Sequence, residues 1–334
     1  MTHTFVLLTT LVGAAQAQVD PPASLVRFLR EGIGLDSAQV AVALRGEPVV
    51  KVLETGTQRR DIAIFGIVTS AVSRDDFTRQ VRDFQQSLRA PSRTRFGLFS
   101  APPTDADVQG VVISERDVKD MKDCRPGDCV VKLPATDIRR IQAEMNWSAR
   151  NLQEQMNAYA RRRLVEYVTD YRRRGDSAMA IYDDRRTANV RSSDAFTALL
   201  AESPYIYQNV PSLRHYLTSY PHDTLTGVSE VLFWSEDALP RLRPILSVTH
   251  QVVYTPPEWP EMTVVAAKQI YANHYFEAAV ELTGVVHRAE GGSYRLVLRR
   301  YRFDNLPSGG LINIRGRATG ALRDQLMADL RRQQ

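Results

Sequence analysis

Apolar positions along this chain recur with two periods, and the period changes twice. Residues 23–36 place Leu25, Phe28 and Leu29 at helical spacing. Two short alternating runs follow, Gln39–Leu44 and Pro48–Leu53, separated by Arg45-Gly46-Glu47; the pattern predicts a hairpin. DIAIFGIVTS at 61–70 is a strong strand signal. Ser73-Arg74-Asp75-Asp76 then resembles a capping box, and Phe77, Val81, Phe84 and Leu88 form one face of the helix it opens. Arg95–Ser100 reads as a strand, and a shorter one is expected at Val111–Ile113.

From Ala135 to Arg174 the period is helical. Ile138 and Ile141 mark a first part, and Leu152, Met156, Tyr159, Leu164, Tyr167, Val168 and Tyr171 a second, with Gly175 as terminator. Asp194–Glu202 predicts a further helix, and helical turns continue to Tyr220. The last third reverts to period two. Val231–Trp234, Ile245–Tyr254, Met262–Tyr271, Phe276–Val286 and Tyr294–Phe303 read as successive strands between turn residues. In the fourth of these, Phe276, Ala278, Val280, Leu282 and Val286 are assigned to one face and Glu277 and Glu281 to the other. The same Glu-Ala-Ala-Val-Glu-Leu run also suits a helix. After Pro307-Ser308-Gly309-Gly310, the stripe Leu311, Ile314, Ala318, Leu322, Leu326, Leu330 predicts a long terminal helix.

The expected fold class is therefore α+β: an antiparallel sheet with a long C-terminal helix laid across it. Residues 18–133 form its first part with a cysteine loop. Residues 134–229 are a helical insertion, and 230–334 complete the domain with the meander and last helix. The stretch DIAIFGIVTSAVSRDDFTRQVRDF, a strand, a turn and a helix, is similar to the opening of the START/SRPBCC helix-grip superfamily. The terminal meander and the helix at 311–332 are the second part of the resemblance; residues 104–230 depart from it. CRPGDCVVKLP also resembles a motif of uncharacterised exported bacterial proteins. The first resemblance implies a cavity between sheet and C-terminal helix that takes a lipid or another apolar ligand. It carries over no catalytic residue, because the superfamily shares no catalytic motif, and fold alone does not fix function.

Composition adds the compartment. Of 334 residues, 43% are hydrophobic and 24% charged, values of an ordinary globular chain that exclude a disordered or collagen-like one. The first seventeen residues carry no Lys, Arg, Asp or Glu, and the apolar run Phe5–Ala15 followed by Ala15-Gln16-Ala17 reads as a signal peptide, 1–17. A short buried N-terminal helix is the alternative. Cys124 and Cys129 are the sole cysteines; in an oxidising compartment they would close a tight loop as a disulfide. Redox or metal chemistry is the other reading, but the spacing is neither C-x-x-C nor C-x-x-C-H. The net charge of +5 is carried by arginine, with five lysines at 51, 119, 122, 132 and 268. Interspersed acidic residues make this a mixed solvated surface rather than a nucleic-acid patch, even at Arg161–Arg163 and Arg172–Arg174. The arginines of the last helix offer a possible contact with an anionic membrane surface.

Motifs for chemistry are scarce. There is no G-x-S-x-G, H-E-x-x-H, P-loop or dinucleotide fingerprint, so no cofactor and no metal are expected. His215 and His222 lack metal-pair spacing. The candidate ligand-binding residues are His250 and Tyr254 on one strand, then Lys268, Tyr271, His274 and Glu277 on the next hairpin. With Asn273-His274 as a two-residue turn, Tyr271 faces Phe276 as a cross-strand aromatic pair. A buried Lys and Glu are candidate proton-transfer partners or a ligand anchor; a solvent-facing charge pair is the plainer reading. The functional expectation is an exported binding or carrier protein for an apolar or amphipathic ligand. An enzyme using His, Lys and Glu, and a structural protein with a filled cavity, are the alternatives.

Overall fold

A computed structural model describes residues 21–56, 59–186, 189–238, 242–306 and 313–334. The expected signal peptide and the Pro307–Gly310 break lie outside them. The described residues open with helix α1 (Ala23–Arg27), a π turn and helix α2 (Ser37–Leu44). Strands β1 (Val49–Leu53) and β2 (Asp61–Ser70) follow. Next come α3 (Arg74–Arg82), α4 (Phe84–Ser87), β3 (Arg93–Leu98) and α5 (Glu115–Met121). The helical stretch holds α6 (Ala135–Glu144), α7 (Leu152–Arg174), a two-strand ribbon of β4 (Ile181–Tyr182) and β5 (Val190–Arg191), α8 (Ser192–Ala201), α9 (Pro204–Tyr207) and α10 (Pro211–Ser219). Strands β6 (Ser229–Asp237), β7 (Ile245–Tyr254), β8 (Met262–Ala272), β9 (Phe276–His287) and β10 (Ser293–Phe303) precede α11 (Ile314–Arg331).

Eight strands form one antiparallel sheet in the order β1-β2-β10-β9-β8-β7-β6-β3. The five-strand meander is thus flanked on both sides by strands from the first third of the chain. Helices cover both faces. On one, α1, α2, the second half of α7, α8 and α10 enclose the largest core, which runs from Leu25 and Leu29 through Val168, Phe196 and Leu213 to Val252 and Leu296. On the other, α11 packs Leu326 and Leu330 against Ile62, Ile64 and Val297, while α3 sets Phe77 and Val81 on Val253 and Val285. Coverage on both faces explains why β7 is buried at every position and reads as a nearly continuous run rather than an alternation. At Gly66 in β2, an added Cβ would lie 2.8 Å from Leu330 and 3.0 Å from Leu326, so the missing side chain lets α11 sit directly on the sheet.

Several expectations change. Gln39–Leu44 is not a strand but the body of α2. Asp36 accepts from the Gln39 backbone at 2.8 Å and the Gln39 side chain accepts from Asp36 N–H at 3.1 Å, a reciprocal cap that commits this alanine-rich segment to helix. Val111–Ile113 joins no sheet; Ile113 N–H donates to Asn157 on α7 instead. The Phe276 to Val286 segment is a strand, but Phe276 leaves the face assigned to it. Arg302 pairs with Ala278 and Phe303 with Phe276, so Glu277 is an extra residue that turns Phe276 to the α11 side. A second irregularity lies in β8, where Val248 pairs with Tyr271 and Thr249 with Gln269, leaving Ile270 unmatched. Tyr271 therefore does not pair with Phe276. Its ring lies tilted against those of Tyr167 and Tyr182 on the opposite face, and Tyr275, at φ 61°, completes a three-residue turn. Of the arginines of the last helix, Arg315 is tied down, donating to the Arg59 and Asp61 carbonyls.

Helix α7 ends where expected. Gly175 takes φ 55°, and a Cβ there would stand 1.6 Å from the Tyr220 carbonyl oxygen, so only glycine permits this crossing. At the start of β2, Asp61 is fully buried and receives Arg300 at 3.1 Å and Arg302 at 2.8 Å, while Arg300 also donates to Ser203 at 3.0 Å. The network ties β2, β10 and the end of α8 together. Asp61→Ala leaves two guanidinium groups buried without their carboxylate, so a loss of about 3–5 kcal/mol is expected in denaturant unfolding. A loss below about 1 kcal/mol, the size of a surface ion pair, would contradict this role.

Candidate functional site

Of the six residues nominated from sequence, His250 and Lys268 share one buried environment around Tyr171, and the other four lie in separate surroundings. His250 is completely buried on β7, directly opposite Lys268 on β8. Its Nε2 lies 3.0 Å from Glu230 and its Nδ1 3.2 Å from the Tyr171 hydroxyl, with the Tyr220 ring 4.5 Å away. Lys268 is also fully buried. It donates to Asp176, to the Leu217 carbonyl at 2.6 Å, and lies 4.4 Å over the Phe196 ring. The partner of Lys268 is thus Asp176, placed just past the Gly175 stop of α7, and not Glu277. Glu277 is paired with Arg60. Tyr254 meets Ser212 at 3.3 Å. His274 Nε2 sits 3.1 Å from Asp117, which also receives Arg243 at 3.0 Å.

Burial dominates the titration of this group. It pushes the Lys268 ammonium down, against the pull of Asp176, and pushes Asp176 up, against the pull of Lys268. Burial also lowers His250, outweighing the favourable Glu230 carboxylate, so the imidazole is held neutral. For Asp117, burial acts upward, but hydrogen bonds and charge from His274, Ser114 and Arg243 bring it below its ordinary value. Burial raises Glu277, opposed by Arg60 and Lys132. Each of these side chains is held by protein groups, and the strands do not gather them at a common surface.

The structure places a cavity elsewhere. A cleft of about 820 Å³ opens between α6, α7, the segment 178–183 and the ends of β7 and β8. Its apolar wall includes Ile113, Met121, Leu133, Ile141, Met156 and Leu164. Its inner end is formed by Leu246, Tyr271 and Asn273. Tyr271 is the one nominated residue that lines it. The neighbouring Tyr167 donates to the Ile270 carbonyl at 2.6 Å, which fixes that aromatic end. Asn273 holds it from the other side: its carbonyl accepts from Lys132 N–H and its side chain from Leu246 N–H, both at 2.8 Å. On the α6–α7 wall, Arg163 Nε lies 2.8 Å from Asp137, and the Tyr159 hydroxyl 3.3 Å from the same carboxylate. Burial and Asp137 push the Tyr159 phenol well above its ordinary value.

The cysteine loop frames this cleft. Cys124 and Cys129 stand at disulfide distance, with Cα atoms 4.5 Å apart. The loop docks by Gly127 N–H on the Asp183 carbonyl at 2.7 Å and Cys129 N–H on that of Asp184 at 3.0 Å. Met121 before it and Val131 and Leu133 after it line the cleft. Among the described residues no group of three or more His, Cys, Asp or Glu is arranged to hold a metal ion. Nor is any helix there long and apolar enough to cross a membrane.

Sequence reasoning missed Asp176, Glu230, Asp137 and Arg163, whose partners are remote in the chain. The apolar stripe of α7 was visible, and Met156, Leu164 and Tyr167 belong to it; that part of it faces a cleft was not. A scan against protein-family models finds no match for this chain, and a search of curated proteins finds no similar sequence.

The neutral, buried His250 gives a pH prediction. Its folded pKa is depressed, whereas the unfolded chain takes up a proton near about 6.5. Stability is therefore complete above that value and is lost as pH falls from it toward the folded pKa. Melting temperature measured between about pH 8 and 5 should fall less steeply in His250→Gln than in the wild type. Equal slopes would remove His250 as the source.

Proposed function

We propose that this protein is a binding or carrier protein for an apolar or amphipathic ligand, and that the ligand lies in the cleft between α6, α7 and the ends of β7 and β8. The observation that carries this reading is the cleft itself: about 820 Å³, within the range of small-molecule sites, lined by apolar side chains together with charged groups most of which are already ion-paired. Ile181 lines the cleft and is 37% exposed, an apolar residue held at the entrance rather than in a core. The resemblance to START/SRPBCC helix-grip proteins supports the same ligand class, as do the meander and the C-terminal helix laid on the sheet. The ligand's place is shifted from that comparison, because α11 rests on Gly66 through Leu326 and Leu330. Export to an oxidising compartment belongs to the same proposal, supported by the apolar N-terminal run and the cysteine pair. Exposed arginines 317, 323 and 331 on α11 support contact with an anionic membrane surface during ligand transfer.

The test uses the neutral apolar dye Nile red. Ala160 lines the cleft on α7, and Ala160→Phe fills it from a partly buried position. Wild-type protein should enhance dye emission saturably. The variant should bind about tenfold more weakly, equivalent to about 1.4 kcal/mol, with its melting temperature kept. Equal binding by both proteins, or no saturable binding by the wild type, would refute the site.

A further inference from the structure

The charged groups on the cleft wall sort themselves by whether the protein already neutralises them. Asp137 and Glu166 share Arg163. Asp170 is paired with Arg174, and Asp117 with Arg243. Two charges remain. Arg140, exposed on α6, makes no ion pair or side-chain hydrogen bond, and neither does the half-buried carboxylate of Asp183, although both line the cleft. They have opposite signs.

Their separation is set by the backbone. Asp183 N–H donates to the Leu133 carbonyl at 3.0 Å, which fixes Asp183 beside the residue preceding Pro134, the cap of α6. Arg140 lies six residues beyond Pro134 along that helix, a rise of about 9 Å. A long guanidinium arm and a short carboxylate thus stand at the same wall of an apolar cleft, one charge-assisted anion site and one cation site within reach of a single head group.

We infer that the cleft selects a zwitterionic single-chain amphiphile, its anionic group at Arg140, its cationic group at Asp183 and its chain along Met156, Leu164 and Ile141. This inference rests on the cleft being the binding site. A ligand bearing one charge would satisfy one of the two side chains and leave the other facing it unpaired. A ligand bearing both neutralises both, and the adjacent apolar wall takes the chain.

The test compares three competitors with the same dodecyl-length chain, each below its micellar concentration, by displacement of Nile red. Dodecylphosphocholine carries both charges, dodecanoate the anion alone and dodecyltrimethylammonium the cation alone. In wild-type protein the zwitterion should displace dye at about tenfold lower concentration than either of the others, one favourable charge contact more. Arg140→Gln should abolish its advantage over the cation, and Asp183→Asn its advantage over the anion. Both positions are outside the core, and unchanged melting temperatures verify folding. Equal potency of the three competitors, a single-charge competitor that outperforms the zwitterion, or a ranking that both variants leave intact overturns the head-group assignment while dye binding upholds the cleft. Failure of Nile red to bind wild-type protein overturns the cleft and this inference with it.

Discussion

Where helices cover both faces of the sheet, a charge on a strand is cut off from water, and that constraint governs this protein. Asp61, His250, Lys268, Glu277, Arg300 and Arg302 all lie on its strands and are all buried. A buried charge is tolerated where a partner and hydrogen bonds replace its hydration. Each of these residues consequently draws a group from another element. Asp61 collects two arginines from β10, Lys268 takes Asp176 from beyond α7, and His250 takes Tyr171 from within it. The polar contacts fix where the helical layer sits, and the surrounding apolar contacts supply the bulk of its adhesion.

Helix α7 shows how the two scales combine. Its stripe of Leu164, Val168 and Tyr171 is bound into the main core. Gly175 allows the chain to pass against the Tyr220 carbonyl, and Asp176 then reaches Lys268. The first half of α7 is different. It packs Met156 and Tyr159 with Ile138, Ile141 and Val131 in a smaller core that includes the cysteine loop. The cleft lies along the junction of these two cores, where the helical layer has one foot on the sheet and the other on α6. Clefts at such junctions arise because each core is closed by its own helices, and the seam between them is not filled by either.

The disulfide-distance loop belongs to this seam. A six-residue ring gives a modest entropic gain by itself. Its larger effect is positional: with its hydrogen bonds to Asp183 and Asp184 it sets the course of Val131 and Leu133 along the cleft.

Elements with a strong period were legible from sequence. Asp61–Ser70 and Ile245–Tyr254 have the bounds their strand-forming runs and the flanking turn residues gave them, and α6, α7 and the meander follow from spacing alone. The capping pair Asp36 and Gln39 is equally local, and it outweighs the short alternation that suggests a strand at Gln39–Leu44. What sequence lacked was register. Bulges at Ile270 and Glu277 each shift a strand by one residue, which moves Tyr271 and Phe276 to opposite faces. No local pattern encodes that, because a bulge is decided by which neighbour the strand must fit. The nominated His, Lys and Glu are chemically unusual positions, but their partners are remote in the chain: 92 residues away for Lys268 and Asp176, 157 for His274 and Asp117, and 217 for Glu277 and Arg60. Sequence by itself determined the elements, since periodicity and capping act over a few residues. Tertiary structure alone decided which charges are neutralised inside the protein and which two are left facing the cleft, since pairing is a property of distance in space.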